Sequence, residues 1–165
     1  MIKSIHSATR KSMTLAIAGA LALAAAGQAS AQVSGDVVKI GFITDLSGLY
    51  SDIDGQGGVE AIKMAIADFG GSVLGKKIEL VTADHQNKAD IAASKAREWF
   101  DQQGVDMLIA GTNSGTNLAM SKVAAEKKKP LIAIGGGTAR LTNEECTPRC
   151  RCPSRLSLSR GSRVA

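Results

Sequence analysis

The amino-acid sequence predicts an α/β fold in which a parallel sheet carries helices on both faces. Between Val37 and Ile134, four short aliphatic runs of strand length alternate with three longer segments in which apolar residues recur at helical spacing. Strands and helices that alternate in this way form parallel sheets through right-handed crossovers. The composition, 44% hydrophobic and 21% charged, also excludes a disordered chain.

The four strand candidates are rich in β-branched and aliphatic residues, as expected for strands that are buried on both faces. They cover Val37–Thr44, Ile78–Val81, Met107–Ala110 and Leu131–Ile134. Ligands of open α/β sheets bind beyond the carboxyl ends of the strands. The sequence therefore directs attention to the loops that follow these strands, at 45–56, 84–88, 111–115 and 135–140.

Each of the three helix candidates places an apolar stripe on one face. The stripes run from Val59 to Phe69, from Ala89 to Phe100 and from Ala119 to Ala124, and glycine or proline follows each of them. Trp99 and Phe100 belong to the second stripe, so we predict that both side chains lie in the core.

The amino-terminal segment has the pattern of a secretion signal. Three basic residues precede an apolar run at 13–26, and Ala29-Ser30-Ala31 follows it. A membrane anchor is the alternative, but a spanning helix needs about 20 apolar residues and this run is shorter. We therefore predict a signal peptide at 1–31, cleavage before Gln32 and an exported protein.

The carboxyl-terminal segment differs from the rest of the chain. Residues 149–165 contain five arginines and no acidic residue, so the formal net charge of +5 arises from the two ends of the chain. The segment has neither helical nor strand periodicity, and we predict an unstructured tail. Its Arg/Ser/Cys-rich composition is typical of a GC-rich gene read out of frame, and a frameshift after Pro148 is our hypothesis.

The cysteine pattern gives no metal site. Cys146, Cys150 and Cys152 lie close together, and a zinc site requires four ligands. In an oxidising compartment disulfides are favoured, but three clustered thiols cannot all pair within one chain.

No catalytic constellation is recognisable in the sequence. The glycines at 55–58 do not directly follow the first strand, as a dinucleotide-binding loop requires. His85 is the only histidine in residues 32–165, and no Ser-His-Asp set or paired carboxylates accompany it. We therefore predict that the protein is not an enzyme and has no catalytic residue, metal or cofactor.

Three loop features each allow two interpretations. Tyr50 forms either a ligand wall or a lid over the core. Asn113 and Ser114 either cap the third helix or bind a carboxylate at its amino terminus, since both roles use the same donors and acceptors. The glycines at 135–137 either cradle an anion or provide a flexible exit from the fourth strand.

A series of short stretches in fixed order carries a family resemblance. The stretches are FITDLSGLY (42–50), GVEA (58–61), DFGG (68–71), GKKIEL (75–80), ADHQNKAD (83–90), WFD (99–101) and LTNEECTP (141–148). Behind a predicted secretion signal, this order resembles the periplasmic solute-binding proteins of ABC importers, of the leucine/isoleucine/valine type.

The resemblance implies a type I binding-protein fold and a set of ligand contacts. In that family, two α/β lobes joined by a hinge close over a small polar ligand. Carried over residue by residue, the aromatic of the first loop falls on Tyr50, and the carboxylate-binding pair falls on Asn113 and Ser114. The contacts after the fourth strand fall on Gly136 and Thr138.

The resemblance also implies partners and an incomplete chain. The expected ligand is an amino acid or a related carboxylate or amide, the expected partner is an importer permease in the membrane, and no nucleic acid is expected. Because the resemblance stops at Pro148, residues 32–148 are expected to form the truncated amino-terminal part of lobe one.

Two other functions remain open on the sequence alone. A secreted receptor-like domain could sense amino acids with the same fold. A basic-tailed protein could instead bind nucleic acid or other anions through the arginines at 149–163.

Overall fold

The computed structural model describes residues 35–148 and 150–151, so the predicted signal peptide and most of the predicted tail lie outside the described residues. The strands are β1 (Val37–Thr44), β2 (Ser72–Val73), β3 (Lys76–Asp84), β4 (Met107–Ala110), β5 (Leu131–Ala133) and β6 (Cys150–Arg151). The helices are α1 (Ser51–Asp54), α2 (Gln56–Asp68), α3 (Ala89–Gln102) and α4 (Ser114–Glu126), and a 3-10 helix covers Ala139–Leu141. No helix in this part of the chain has both the length and the apolar character needed to cross a membrane.

The strands form one sheet in the order β2-β3-β1-β4-β5-β6. All neighbours in the sheet are parallel except β2 and β3. Ile43 of β1 is paired with Ala83 on one side and with Ala110 on the other. The predicted α/β class with a parallel sheet is confirmed.

The 3-10 helix and β6 were not predicted from the sequence, and neither were two earlier elements. The first is the antiparallel hairpin of β2 and β3, whose connecting residues Leu74 and Gly75 both have positive φ, 53° and 75°. Two such residues are typical of a tight hairpin turn, but Leu-Gly lacks the asparagine or aspartate that usually signals one. The second is the four-residue helix α1, which is too short to show a period.

The core lies on the side of the sheet that faces α3 and α4. Trp99 and Phe100 of α3 belong to it together with Met120 and Val123 of α4, so their predicted burial is confirmed. At Gly41 of β1 a Cβ would lie 2.6 Å from the Trp99 ring, so glycine allows the helix to approach the sheet closely. Helix α2 packs on the opposite face, where Gly58 lies against Phe42.

The strand order creates a crevice at the carboxyl edge of the sheet. From β1 the chain crosses to β3 on one side, and from β3 it crosses back over β1 to β4 on the other side. The strands β1 and β4 are neighbours, and the loops that follow them therefore lead away from each other. This arrangement forms ligand crevices in open α/β sheets.

Regular structure continues beyond Pro148. Cys150 and Arg151 form β6 and pair in parallel with Leu131 and Ile132 of β5. The expectation of an unstructured tail from Arg149 onward is not met at these two residues, because the edge of β5 provides a backbone partner for them.

Candidate functional site

Asp54, the last residue of α1, lies at the base of the crevice between β1 and β4. Its Oδ1 accepts a hydrogen bond of 2.9 Å from the Thr44 hydroxyl at the end of β1. Its Oδ2 accepts one of 2.5 Å from the backbone N–H of Thr112, just after β4. One carboxylate therefore connects the carboxyl ends of both strands to the loop that carries Tyr50.

Tyr50 is held in this loop through its backbone. The buried Asp45 accepts hydrogen bonds of 2.9 Å from the amides of Gly48 and Tyr50, one on each carboxylate oxygen. Tyr50 occupies the position before α1, and its side chain is half-buried. The structure thus places Tyr50 at the crevice by a turn that folds around Asp45.

A third aspartate fastens the start of the loop to β3. Asp84 accepts hydrogen bonds from the Leu46 amide at 3.0 Å, the Ser47 hydroxyl at 2.6 Å and the Gln86 amide at 2.8 Å. Burial alone would raise the pKa of Asp84, but these donors stabilise the charged form and lower its pKa below the ordinary value.

The structure distinguishes the roles of Asn113 and Ser114. The Asn113 side chain caps α4 by accepting a hydrogen bond of 3.0 Å from the Thr116 amide, and its amide group donates to Asn87. Its φ of 132° is rare for any residue other than glycine. Ser114 begins the helix, is half-buried, and has no hydroxyl hydrogen bond to another described residue.

The amino terminus of α4 therefore presents unused donors. The first amides of a helix have no acceptor within it. Asn113 accepts from the amides of Thr116 and Asn117, but no hydrogen bond from the amides of Ser114 and Gly115 occurs within the described residues. These two amides and the Ser114 hydroxyl lie at the positive end of the helix dipole, where a carboxylate binds favourably.

Gly136 and Thr138 contribute to the packing of the loop after β5. A Cβ on Gly136 would lie 2.6 Å from Leu141 and 3.3 Å from Asn117, so glycine permits close packing there. The Thr138 hydroxyl accepts a hydrogen bond of 3.3 Å from the Arg140 amide and caps the short 3-10 helix. Gly135 lies against Thr112, which brings this loop next to the turn after β4.

Asn117 supports the site from beneath and was missed by the sequence analysis. It is fully buried, and its side-chain amide donates hydrogen bonds of 2.6 Å to the carbonyls of Gly111 and Asn113. Within α4 its position falls on the ordinary buried stripe, so no sequence signal separates it from core residues.

His85 is the remaining buried ionisable group near the crevice. One of its ring nitrogens and one carboxylate oxygen each of Asp45 and Asp84 lie within 4.8 Å of one another, a spacing that resembles a metal site. However, its Nδ1 accepts a hydrogen bond of 3.0 Å from the Asn87 amide. In a neutral imidazole the proton then lies on Nε2, which can donate but cannot ligate a metal.

The charge state of His85 follows from its burial. The side chain is 0% exposed, and burial lowers its pKa below the ordinary value even though Asp45, Asp84 and Asp54 act in the opposite direction. Its Nε2 has no partner among the described residues. The hydrogen bond accepted by Nδ1, which places the ring proton on Nε2, makes this arrangement of His85 unsuited to ligate a metal ion.

Comparison with known proteins gives a consistent set of matches. A family model described as periplasmic binding protein matches residues 37–155. A periplasmic binding protein of Burkholderia mallei is 72% identical over 70% of this chain and 31% of its own, with a TM-score of 0.69.

Two further structures with lower identity show the same fold. A branched chain amino acid ABC transporter periplasmic ligand-binding protein of Burkholderia xenovorans is 37% identical, over 75% of this chain and 36% of its own, with a TM-score of 0.66. A solute binding protein of an ABC transporter from Rhodopseudomonas palustris, in complex with 3,4-dihydroxy benzoic acid, is 28% identical. That match covers 72% of this chain and 32% of its own, with a TM-score of 0.65.

The present chain spans about a third of the length of these solved structures. No curated protein matches it. The arginines of the alternative nucleic-acid hypothesis lie almost entirely outside the described residues.

Proposed function

We propose, from the premise that this chain belongs to the periplasmic binding protein family, that the chain forms part of the solute-binding component of an ABC importer. The proposed ligand is an amino acid or a similar small solute that carries a carboxylate. The relatives support this class, since one is named for branched-chain amino acid transport and another was solved with an aromatic carboxylic acid. The function is binding rather than catalysis.

The observation that carries the proposal is the group of unused donors at the start of α4. The Ser114 hydroxyl and the amides of Ser114 and Gly115 meet at the crevice, while the nearby carboxylates of Asp45, Asp54 and Asp84 already accept hydrogen bonds from the protein. A carboxylate ligand would accept hydrogen bonds from these donors. Tyr50 would form an adjoining wall, and the loop with Gly136 and Thr138 would border the other side.

Removal of one donor tests this site in a full-length, two-lobed version of the protein. We expect Ser114→Ala to weaken binding of the cognate solute by about 1–3 kcal/mol, because a ligand carboxylate loses a hydrogen-bond partner. Isothermal titration calorimetry measures the change. Ser94→Ala, on the exposed side of α3, is the matched control and should bind as the unmodified protein does. An unchanged affinity in Ser114→Ala would contradict the proposed site.

The proposed setting is the periplasm, with a permease in the inner membrane as partner. The predicted signal peptide at 1–31 would direct export, and cleavage would leave Gln32 as the first residue. Amino-terminal sequencing of protein from the periplasm tests the cleavage site. Recovery of Met1 in a membrane fraction would contradict it.

A further inference from the structure

We propose that Asp54 is a positioning residue that fixes the distance between two ligand-facing segments, an inference that rests on the function proposed above. The first is the Tyr50 segment, residues 46–54. The second is the Asn113 turn, residues 111–114. Asp54 belongs to the first and is hydrogen-bonded to the second.

The hydrogen bonds of Asp54 reach both strands that border the crevice. Thr44 ends β1 and donates through its hydroxyl, whereas Thr112 follows β4 and donates through its backbone amide. Among the hydrogen bonds within residues 35–148, the bond between Thr112 and Asp54 is the one that joins the Tyr50 segment to the Asn113 turn. Asp45 and Asp84 hold the segment only to residues of its own loop and of β3.

Both segments are short and stiff between the bond and the ligand-facing groups. On one side, α1 forms a single turn between Tyr50 and Asp54, closed by the hydrogen bond from Gly55 to Ser51 at 3.0 Å. On the other side, Thr112 is followed directly by Asn113, which caps α4 and leads into Ser114. A change in the position of the Asp54 carboxylate would therefore also move Tyr50 and the proposed carboxylate-binding donors at Ser114.

The residues around the Asp54 carboxylate pack so closely that there is no room for a side chain at Gly111. A Cβ at that position would lie 2.1 Å from the Thr44 hydroxyl oxygen and 2.7 Å from Asp54 Oδ2. A side chain at position 111 would therefore displace the Thr44 hydroxyl and the Asp54 carboxylate.

Amide hydrogen exchange of the chain purified from the periplasm tests this role without any ligand. Asp54→Ala removes both acceptors, and we expect exchange at the Thr112 amide and across the Tyr50 segment to rise about fivefold to tenfold. Asp54→Asn should restore protection, because its oxygen can accept from Thr112 while its amide donates to the Thr44 hydroxyl. Asp52→Ala, exposed on the same helix, is the matched control and should leave exchange unchanged.

A purely structural role for Asp54 would give a different pattern. It would raise exchange by the same factor in the central amides of β1 and β4, such as that of Leu108, and this result would overturn the proposal. Unchanged exchange at Thr112 in Asp54→Ala, or a failure of Asp54→Asn to restore it, would do so as well.

Titration with L-leucine and with benzoate, followed by NMR, separates this inference from the proposed function. If either probe binds the unmodified chain, Asp54→Ala should weaken that binding about tenfold while Asp54→Asn retains it. If neither probe binds while the exchange results hold, the positioning role stands, and the proposed function receives no support from these two probes.

Discussion

At the scale of single residues, the cap and the proposed ligand donor at α4 are separate side chains. Asn113 satisfies the helix amide through its side chain, whereas the Ser114 hydroxyl makes no such bond within the described residues. Stability and affinity should therefore respond to different substitutions. Asn113 serves the fold, and Ser114 is available for the ligand.

Unfolding experiments without ligand check this separation. Asn113→Ala should lower the free energy of unfolding by about 0.5–2 kcal/mol, because the cap is lost and φ of 132° remains unfavourable for alanine. Asn113→Gly should lower the free energy of unfolding by only about a few tenths of a kcal/mol, because glycine readily adopts this φ. Ser114→Ala should change stability by less than about 0.5 kcal/mol. Equal losses in Asn113→Ala and Ser114→Ala would mean that the serine also caps the helix.

His85 gives a prediction on pH dependence. In the folded protein burial lowers the pKa of His85, so the ring takes up a proton at lower pH than in the unfolded chain, where it titrates near its ordinary value of 6.5. The unfolded state then binds more protons, and stability is full above that value and decreases as the pH falls towards the folded pKa. Urea unfolding across this range measures the slope.

A substitution isolates the contribution of His85 from that of its neighbours. His85→Gln removes the titration, so the slope between about pH 5 and 6.5 should become flat. Asp84, which faces the ring, does not interfere, because its pKa lies below its already acidic ordinary value. The same slope in both proteins would contradict the neutral buried histidine.

Individual site residues could be predicted only in part from the sequence. The pair Asn113 and Ser114 is recognisable before a helix, but both residue types cap helices and only the geometry separates their roles. Asp54 could not be found, since its partners Thr44 and Thr112 lie 10 and 58 residues away in the chain. Contacts between loops at the edge of a sheet depend on strand order, which single residues do not encode.

At the scale of elements, periodicity located the three long helices and four of the five parallel strands within a few residues, and it did not locate β6. It failed for α1 and for the β2–β3 hairpin, because a four-residue helix has no full repeat and the Leu74-Gly75 turn has no recognisable signal. Strand order also could not be read from the sequence, since both directions of crossover from β1 fit the same alternation.

The close contact between β1 and α3 provides a test of element packing. Gly41→Ala should lower the free energy of unfolding by about 1–3 kcal/mol, because its Cβ would lie 2.6 Å from Trp99 and 2.7 Å from Leu108. Gly57→Ala in α2 is the matched control, since nothing lies within 4 Å of its Cβ. That substitution should raise stability by up to about 1 kcal/mol through helix propensity. Thermal unfolding distinguishes the two, and a neutral Gly41→Ala would contradict the close packing.

At the scale of the whole molecule, the crevice is bordered by exposed apolar side chains. Leu49 and Ile53, on either side of Tyr50, are 77% and 66% exposed, and Ile134 after β5 is 45% exposed. Scattered apolar residues are ordinary on a surface, but these three lie in the segments after β1 and β5, at the carboxyl edge of the sheet. The solved structures with the same fold have chains about three times as long. A longer chain of this kind could cover the exposed apolar side chains beside the crevice.

A crevice bordered by one lobe should bind weakly. Binding proteins of two lobes hold a solute by closing around it, so that most of the ligand surface leaves water. Within the described residues, the proposed contacts come from α4, Tyr50 and the loop with Gly136 and Thr138, all on one lobe. We therefore expect no amino acid or small carboxylate to bind the 165-residue chain more tightly than about millimolar, near −4 kcal/mol. Under oxidising conditions Cys146, which forms no disulfide within the described residues, should also give mixed intermolecular disulfides. Isothermal titration of the purified chain with a panel of amino acids and small carboxylates measures the affinity, with non-reducing electrophoresis for the disulfides. A micromolar ligand bound by a monomeric chain would show that this lobe alone is a working receptor.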